Sequence, residues 1–185
     1  EGSHLAVCDM VVDLGVQETH FGSKHKVYLR WQIPALRAKY ERDGEQVDMP
    51  MTVGAQFTLS LSDKSNLRPV LQAWRGRAFT PEELKKFDIT QVISAPCMVT
   101  VTHKPKDGGG VYTNVGAVAK LPAGIPVPTL EGEAIVYDAD HLDNFGKLRP
   151  WMQELIQKQV VEQSLPEQRG APAYADSDLD DEVPF

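Results

Sequence analysis

The 185-residue sequence predicts a mainly β fold, a five-stranded Greek-key barrel carrying short helices, a C-terminal helix and an acidic tail. Three observations point there. Long runs alternate apolar and polar residues with a period of two, Gly-containing turns separate them, and helical spacing is confined to two short regions. At this length one core can take roughly 70% of the unfolded chain's surface out of water, so neither disulfide nor metal is required.

The first strand is expected from Leu5 to Leu14, with Ala6, Cys8, Met10, Val12 and Leu14 on one face. Gly15 and the polar run Gln17 to Lys24 turn the chain. The second strand has the cleanest alternation: Val27, Leu29, Trp31 and Ile33 against Lys26, Tyr28, Arg30 and Gln32, ending at Pro34. Asp43-Gly44 signals a hairpin into a third strand, where Val53, Ala55, Phe57, Leu59 and Leu61 share a face. Ser65-Asn66 then opens a short helix through Leu67, Leu71 and Trp74. Thr80-Pro81-Glu82-Glu83 opens another, with a capping Thr, Pro at the first helical position and Glu at the third. Cys97, Val99 and Val101 mark a fourth strand, and Asp107-Gly108-Gly109-Gly110 turns it into a fifth, Val111 to Ala119. Pro122 to Pro128 is extended, and Glu133 to Tyr137 adds a short strand. Helical spacing returns from His141 to about Ser164, with a break at Pro150.

Helices between strands three and four favour an OB-fold, whose helix joins those strands. A β-sandwich has the same strand count and stays open. The chain thus divides into an OB-like body at 1–140, a helical extension at 141–164 and a flexible acidic tail at 165–185. Residues 1–4 read equally as an expression remnant or as the stump of a longer terminus. Two cysteines, Cys8 and Cys97, are too few for a stapled secreted scaffold, and no run approaches the ~18 apolar residues of a membrane span. The expected setting is soluble, reducing and intracellular, with no membrane partner and no cofactor.

The net charge of −7 is unevenly spread. Pro166 to Phe185 holds six acids and one base, leaving the rest of the chain near neutral. There the bases cluster: Lys24, Lys26, Arg30, Arg37 and Lys39 fall in an acid-free run, as do Lys64, Arg68, Arg75 and Arg77. Such segregation creates a local positive field despite negative net charge.

The chain closes Asp178-Leu179-Asp180-Asp181-Glu182-Val183-Pro184-Phe185. Most acidic tails only solubilise, but a solubiliser has no need of a final aromatic held by proline. Asp178, Asp180, Asp181, Glu182, Val183, Pro184 and Phe185 instead form a portable plug, with a ring and carboxylate for a pocket and acids for its basic rim. This ending resembles the C-terminal tip of bacterial single-stranded DNA-binding proteins. In that family the tip recruits partner proteins while the body holds DNA. Leu14-Gly15-Val16-Gln17-Glu18-Thr19, Lys26-Val27-Tyr28-Leu29-Arg30-Trp31, Trp74-Arg75-Gly76-Arg77-Ala78-Phe79 and Tyr112-Thr113-Asn114-Val115 resemble a phage- and prophage-encoded group of such proteins. The resemblance implies a bacterial host cytoplasm, single-stranded DNA as ligand and replication or recombination proteins as partners of the tip.

A single-strand binder needs a cationic groove and exposed rings for base stacking. Lys26, Tyr28 and Arg30 share one strand face, which without the tail would read as an ordinary solvated surface. Arg75 and Arg77 flank Gly76, whose freedom to turn would let both face outward. Trp74 and Phe79 read better as core caps than as stacking rings. Lys104 and Lys106 flank the Gly-rich hairpin, and Tyr112 follows it. With Lys24 and Arg68, these ten residues are the expected DNA contacts.

Catalytic patterns are weak. The five histidines have no His-Glu-x-x-His spacing, and Asp107-Gly108-Gly109-Gly110 lacks the Gly-Lys-Ser/Thr of a phosphate loop. The expected function is therefore non-catalytic: coating single strands and recruiting enzymes through the tip. Alternatives are a decoy whose tail occupies host pockets, and a metal-dependent nuclease using Asp138 and Asp140. Association into a homo-oligomer stays open.

Overall fold

The computed structural model describes residues 1–42 and 44–159. The tip Asp178 to Phe185, and residues 160–164 of the expected helix, lie outside the described residues. The fold is mainly β. Strands β1 (Gly2–Thr19), β2 (Gly22–Arg42) and β3 (Glu45–Thr58) form a meander. Helices α1 (Leu67–Arg75) and α2 (Pro81–Lys86) follow, then β4 (Pro96–Pro105) and β5 (Val111–Ala119). A short β6 (Ile135–Tyr137) and helix α3 (Pro150–Gln157) complete the described chain. The strand order is β3-β2-β1-β4-β5, with β6 beside β1. Neighbours in the order are antiparallel, whereas β6 runs parallel to β1 along Met10 to Val12. This is the OB-like order, with helices between β3 and β4. The ends of the order, β3 and β5, approach one another without forming a ladder.

Local chemistry explains the elements. In α2 the Thr80 hydroxyl accepts from the Glu83 N–H while the Glu83 carboxylate accepts from the Thr80 N–H, a complete capping box. Helix α1 ends at Gly76 in the left-handed region, φ 72°, where its N–H meets the Gln72 carbonyl. Pro150 opens α3 instead of kinking a longer helix, because at its first position the missing N–H has no partner to lose.

Two expectations about β1 and β2 are corrected. Pro34 interrupts pairing without ending β2. The ladder runs to Ile33↔Met51, skips Pro34 to Leu36, and resumes at Arg37↔Pro50. Proline has no N–H to give a ladder, so the chain bulges there and continues. In β1, the expected single face is split by a bulge between Cys8 and Met10. One extra residue, Asp9, exchanges the faces beyond it.

The result is two cores. Ala6, Cys8 and Val11 join Leu29, Trp31, Leu71, Trp74 and Val99 inside the barrel. Met10, Val12 and Leu14 lie on the outside of β1, beneath Tyr137, Leu148, Met152 and Ile156. Each fully buried aliphatic side chain stabilises by roughly 1.5–3 kcal/mol, so the outer cluster fixes the 135–157 segment to the body.

Candidate nucleic-acid interface

The β4–β5 hairpin carries the first group of candidate residues. Gly108, Gly109 and Gly110 all have positive φ (92°, 103° and 84°), a turn that only glycine enters without strain. It is closed by Gly109 N–H to the Lys106 carbonyl and Lys106 N–H to the Gly110 carbonyl, both 3.1 Å. Register places Lys104 opposite Tyr112. Tyr112 is 58% exposed, and the Lys106 ammonium stands 4.5 Å from its ring centroid. Lys104 and Lys106 are exposed and meet no acid among the described residues.

The β1–β2 turn carries the second. The Thr19 hydroxyl donates to the Gly22 carbonyl at 2.6 Å and accepts from the Phe21 N–H, holding Phe21 outward and 89% exposed. Lys24 follows on the same hairpin, also exposed. Phe21 was missed by sequence reading. The signal was present, since an aromatic in a tight turn between Thr19 and Gly22 has no core position to fill. The pairings Thr19↔Gly22 and Gly2↔Val101 set these two hairpins toward opposite ends of β1.

The outer face of β2 is less open than its sequence suggests. Lys26 donates to the Thr58 hydroxyl at 3.0 Å and meets no carboxylate among the described residues. Tyr28 lies across Gly54 and meets Trp151 of α3 edge-on, with centroids 5.3 Å apart. Burial pushes the Tyr28 phenol pKa up. Arg30 is held by Asp9, its Nε 2.9 Å from Oδ1 and its Nη2 2.9 Å from Oδ2. Gln32 is buried, exchanging hydrogen bonds with the Glu131 backbone at 2.9 and 2.7 Å. Asp9, Arg30, Met49, Thr52, Glu131 and Arg149 border a cleft of about 510 Å³ of mixed charge. Lys26, Tyr28, Arg30 and Gln32 share one face of β2 as expected, but the segment from Glu131 to Trp151 covers part of that face, so it is less open than a groove of four free side chains. Trp151, 37% exposed beside Tyr28, was not among the expected site residues.

The other three expected arginines are engaged. Arg68 pairs with Asp63 and donates to the Leu61 carbonyl. Gly76 turns the chain as expected, but the turn brings Arg75 and Arg77 onto the same acid, Glu83, at 2.7 and 2.5 Å. Arg77, Arg75 and the Thr80 N–H together hold the Glu83 carboxyl down at about 2. Trp74 and Phe79 are buried, with Trp74 Nε1–H donating to the Pro96 carbonyl.

Among the described residues no group of three or more His, Cys, Asp or Glu could hold a metal ion, and Asp138 is occupied by His141 at 2.7 Å. Burial pushes the Cys8 thiol pKa far up and Cys97 to about 12, so neither is a ready nucleophile near neutral pH. No described helix is long and apolar enough to cross a membrane. No protein-family model, curated protein or solved structure matches the chain.

Proposed function

We propose that the chain is a non-catalytic single-stranded DNA-binding protein of the phage-encoded kind, acting in replication or recombination in a bacterial cytoplasm. The observation that carries this reading is the pair of hairpins presenting exposed rings beside lysines that meet no acid among the described residues: Tyr112 with Lys104 and Lys106, and Phe21 with Lys24. A large exposed ring costs solubility and contributes nothing to a core, whereas bases stack on such rings at ~1–3 kcal/mol each. Ammonium groups without carboxylate partners can take phosphates without first breaking an ion pair. In this reading the strand crosses the outer surface of β2 and β3 between the hairpins, the region OB-folds use for oligonucleotides. Lys26 contributes along that path. Arg30, Arg68, Arg75 and Arg77 serve mainly the fold, since each would have to surrender a carboxylate. The segment from Asp178 to Phe185 recruits partner enzymes through its ring and acids.

The test is binding of the full chain to an unstructured oligonucleotide across a salt series. Affinity should fall linearly in log–log form, with a slope near −0.7 for each phosphate contacted. Phe185→Ala should leave that affinity in place while abolishing capture of a host protein that binds single-strand-binding-protein tips. No affinity for single strands at low salt would end the reading.

A further inference from the structure

Two side chains at the start of α3 have no task in the fold. Trp151 is exposed and belongs to neither core, although Met152, next to it, is fully buried in the outer one. Arg149, just before Pro150, is exposed as well. It is the N-cap of α3, where Ser, Thr, Asp or Asn would satisfy a free N–H and where a cation meets the positive end of the helix dipole. Its side chain makes no capping bond. Only its backbone carbonyl serves the helix, accepting from the Met152 and Gln153 N–H groups at 2.9 and 3.2 Å. Arg149 also borders the mixed-charge cleft, whose acids are all taken: Asp9 by Arg30, Asp48 and Glu131 by Arg37, and Glu133 by Lys147. Of the charges lining that cleft, Arg149 is the one with no ion pair among the described residues.

We propose that Arg149 and Trp151 form a third station for the strand, with one base stacked on the Trp151 indole and a neighbouring phosphate on the Arg149 guanidinium. The inference rests on the DNA reading and names a further subsite on the same surface. Position supports it. Tyr28, which meets Trp151 edge-on, stands between Lys26 and Arg30 on the outer face of β2, the surface the strand would cross. Arg149 and Arg30 border the same cleft, and Arg149 surrenders no carboxylate among the described residues in taking a phosphate. Chemistry supports it too. An indole offers a broad face for any base, and a guanidinium can meet a phosphate through two N–H groups at once. The pair is also held ready: Pro150 fixes φ between them, and Met152 and Ile156 pin the helix to the barrel. The backbone carrying both side chains is therefore ordered before DNA arrives, which lowers the cost of binding. In this arrangement the segment that covers β2 is a wall of the DNA path, and barrel and helix hold the strand jointly.

The experiment titrates the full chain with a dT oligonucleotide, reading anisotropy of an end-labelled strand for binding and tryptophan emission with an unlabelled strand for stacking. The chain has three tryptophans, and Trp31 and Trp74 are buried, so quenching by a stacked base reports Trp151. Emission should fall in step with binding, and Trp151→Phe should abolish the fall. Trp151→Ala should lower affinity by roughly five- to a hundred-fold with the salt slope unchanged. Arg149→Ala should reduce the steepness of log K against log salt by about 0.7, and Arg149→Lys should restore it. Arg149 lies outside both cores, so its variants test the station without disturbing the fold, which an unchanged urea midpoint verifies. Binding that leaves emission unquenched would overturn the proposal, as would quenching that persists in Trp151→Phe or a slope untouched by Arg149→Ala. Each of those results leaves the DNA reading standing, because the strand still binds. Absence of binding at low salt would end that reading and the third station with it.

Discussion

Asp9 and Arg30 meet because one of them is an extra residue. Asp9 is the bulge residue of β1, standing between the pairs Cys8↔Trp31 and Met10↔Arg30, and it is only 3% exposed. The bulge also marks where β1 changes partner on its other edge, from β4 at residues 2–7 to β6 at 10–12. One carboxylate thus anchors the seam where the two cores separate.

Removing either partner should leave the other as a buried, unpaired charge. Asp9→Ala or Arg30→Ala is expected to destabilise the chain by about 3–5 kcal/mol, read as a lower urea midpoint. The double variant Asp9→Val with Arg30→Met should recover much of that loss, because two apolar groups need no pairing. A double variant as unstable as the sum of the singles would show that the pair is not the coupling between them.

The sequence made the strands of this fold legible where alternation was unbroken, as in Val27 to Ile33 and Cys97 to Val101, because a period of two reports one buried face directly. It misled at Asp9, where Met10, Val12 and Leu14 continue the apolar pattern of Ala6 and Cys8 but face a different core. Period alone cannot reveal a bulge when both faces are covered. The same blind spot affected the candidate site. A row of Lys, Tyr, Arg and Gln reads as solvated unless one knows that Glu131 and Trp151, about a hundred residues later, fold over it. Ion pairing was hidden for a related reason: Arg75 and Arg77 lie in an acid-free run, and their shared partner Glu83 comes from the next helix. The hairpin lysines and Tyr112 were readable because Asp107-Gly108-Gly109-Gly110 fixes the turn locally.

The hairpin should announce itself in the salt dependence. Lys104→Ala and Lys106→Ala are each expected to reduce the steepness of log K against log salt by about 0.7, whereas Arg68→Ala and Arg77→Ala should leave it nearly unchanged. Tyr112→Ala or Phe21→Ala should weaken binding by roughly 1–3 kcal/mol at constant slope if a base stacks there. Slopes that respond to Arg77 and ignore Lys106 would move the interface from the hairpin to the α1–α2 corner.

Acid should act through Glu83. Its carboxyl is held at about 2 in the folded chain, below its ordinary value, by Arg77 first and then by Arg75 and the Thr80 N–H. A depressed folded pKa gives stability that is complete above the unfolded value near 4.5 and is lost as pH falls through about 2. Melting temperature should therefore drop more steeply between those limits for the intact chain than for Glu83→Gln, with the two curves converging at the acid end. Parallel curves over the whole range would mean the three-way contact contributes no linkage.

Gly54 offers the most specific probe of how the C-terminal segment is held. A Cβ at this position would lie 2.1 Å from the Tyr28 hydroxyl oxygen and 2.4 Å from its Cζ, so Gly54→Ala must displace the ring. The displaced ring is the one that meets Trp151 at 83° and 5.3 Å, so the disturbance passes directly to α3. Overpacking of this kind is expected to cost about 1–3 kcal/mol. Tyr28→Ala removes the obstacle, so adding Gly54→Ala to it should cost much less than Gly54→Ala alone, a coupling that a thermodynamic cycle measures. Trp151 fluorescence should shift in Gly54→Ala, and further addition of Trp151→Phe should remove that shift. Additive costs with no coupling would show that Tyr28 is not the contact through which Gly54 supports the helix.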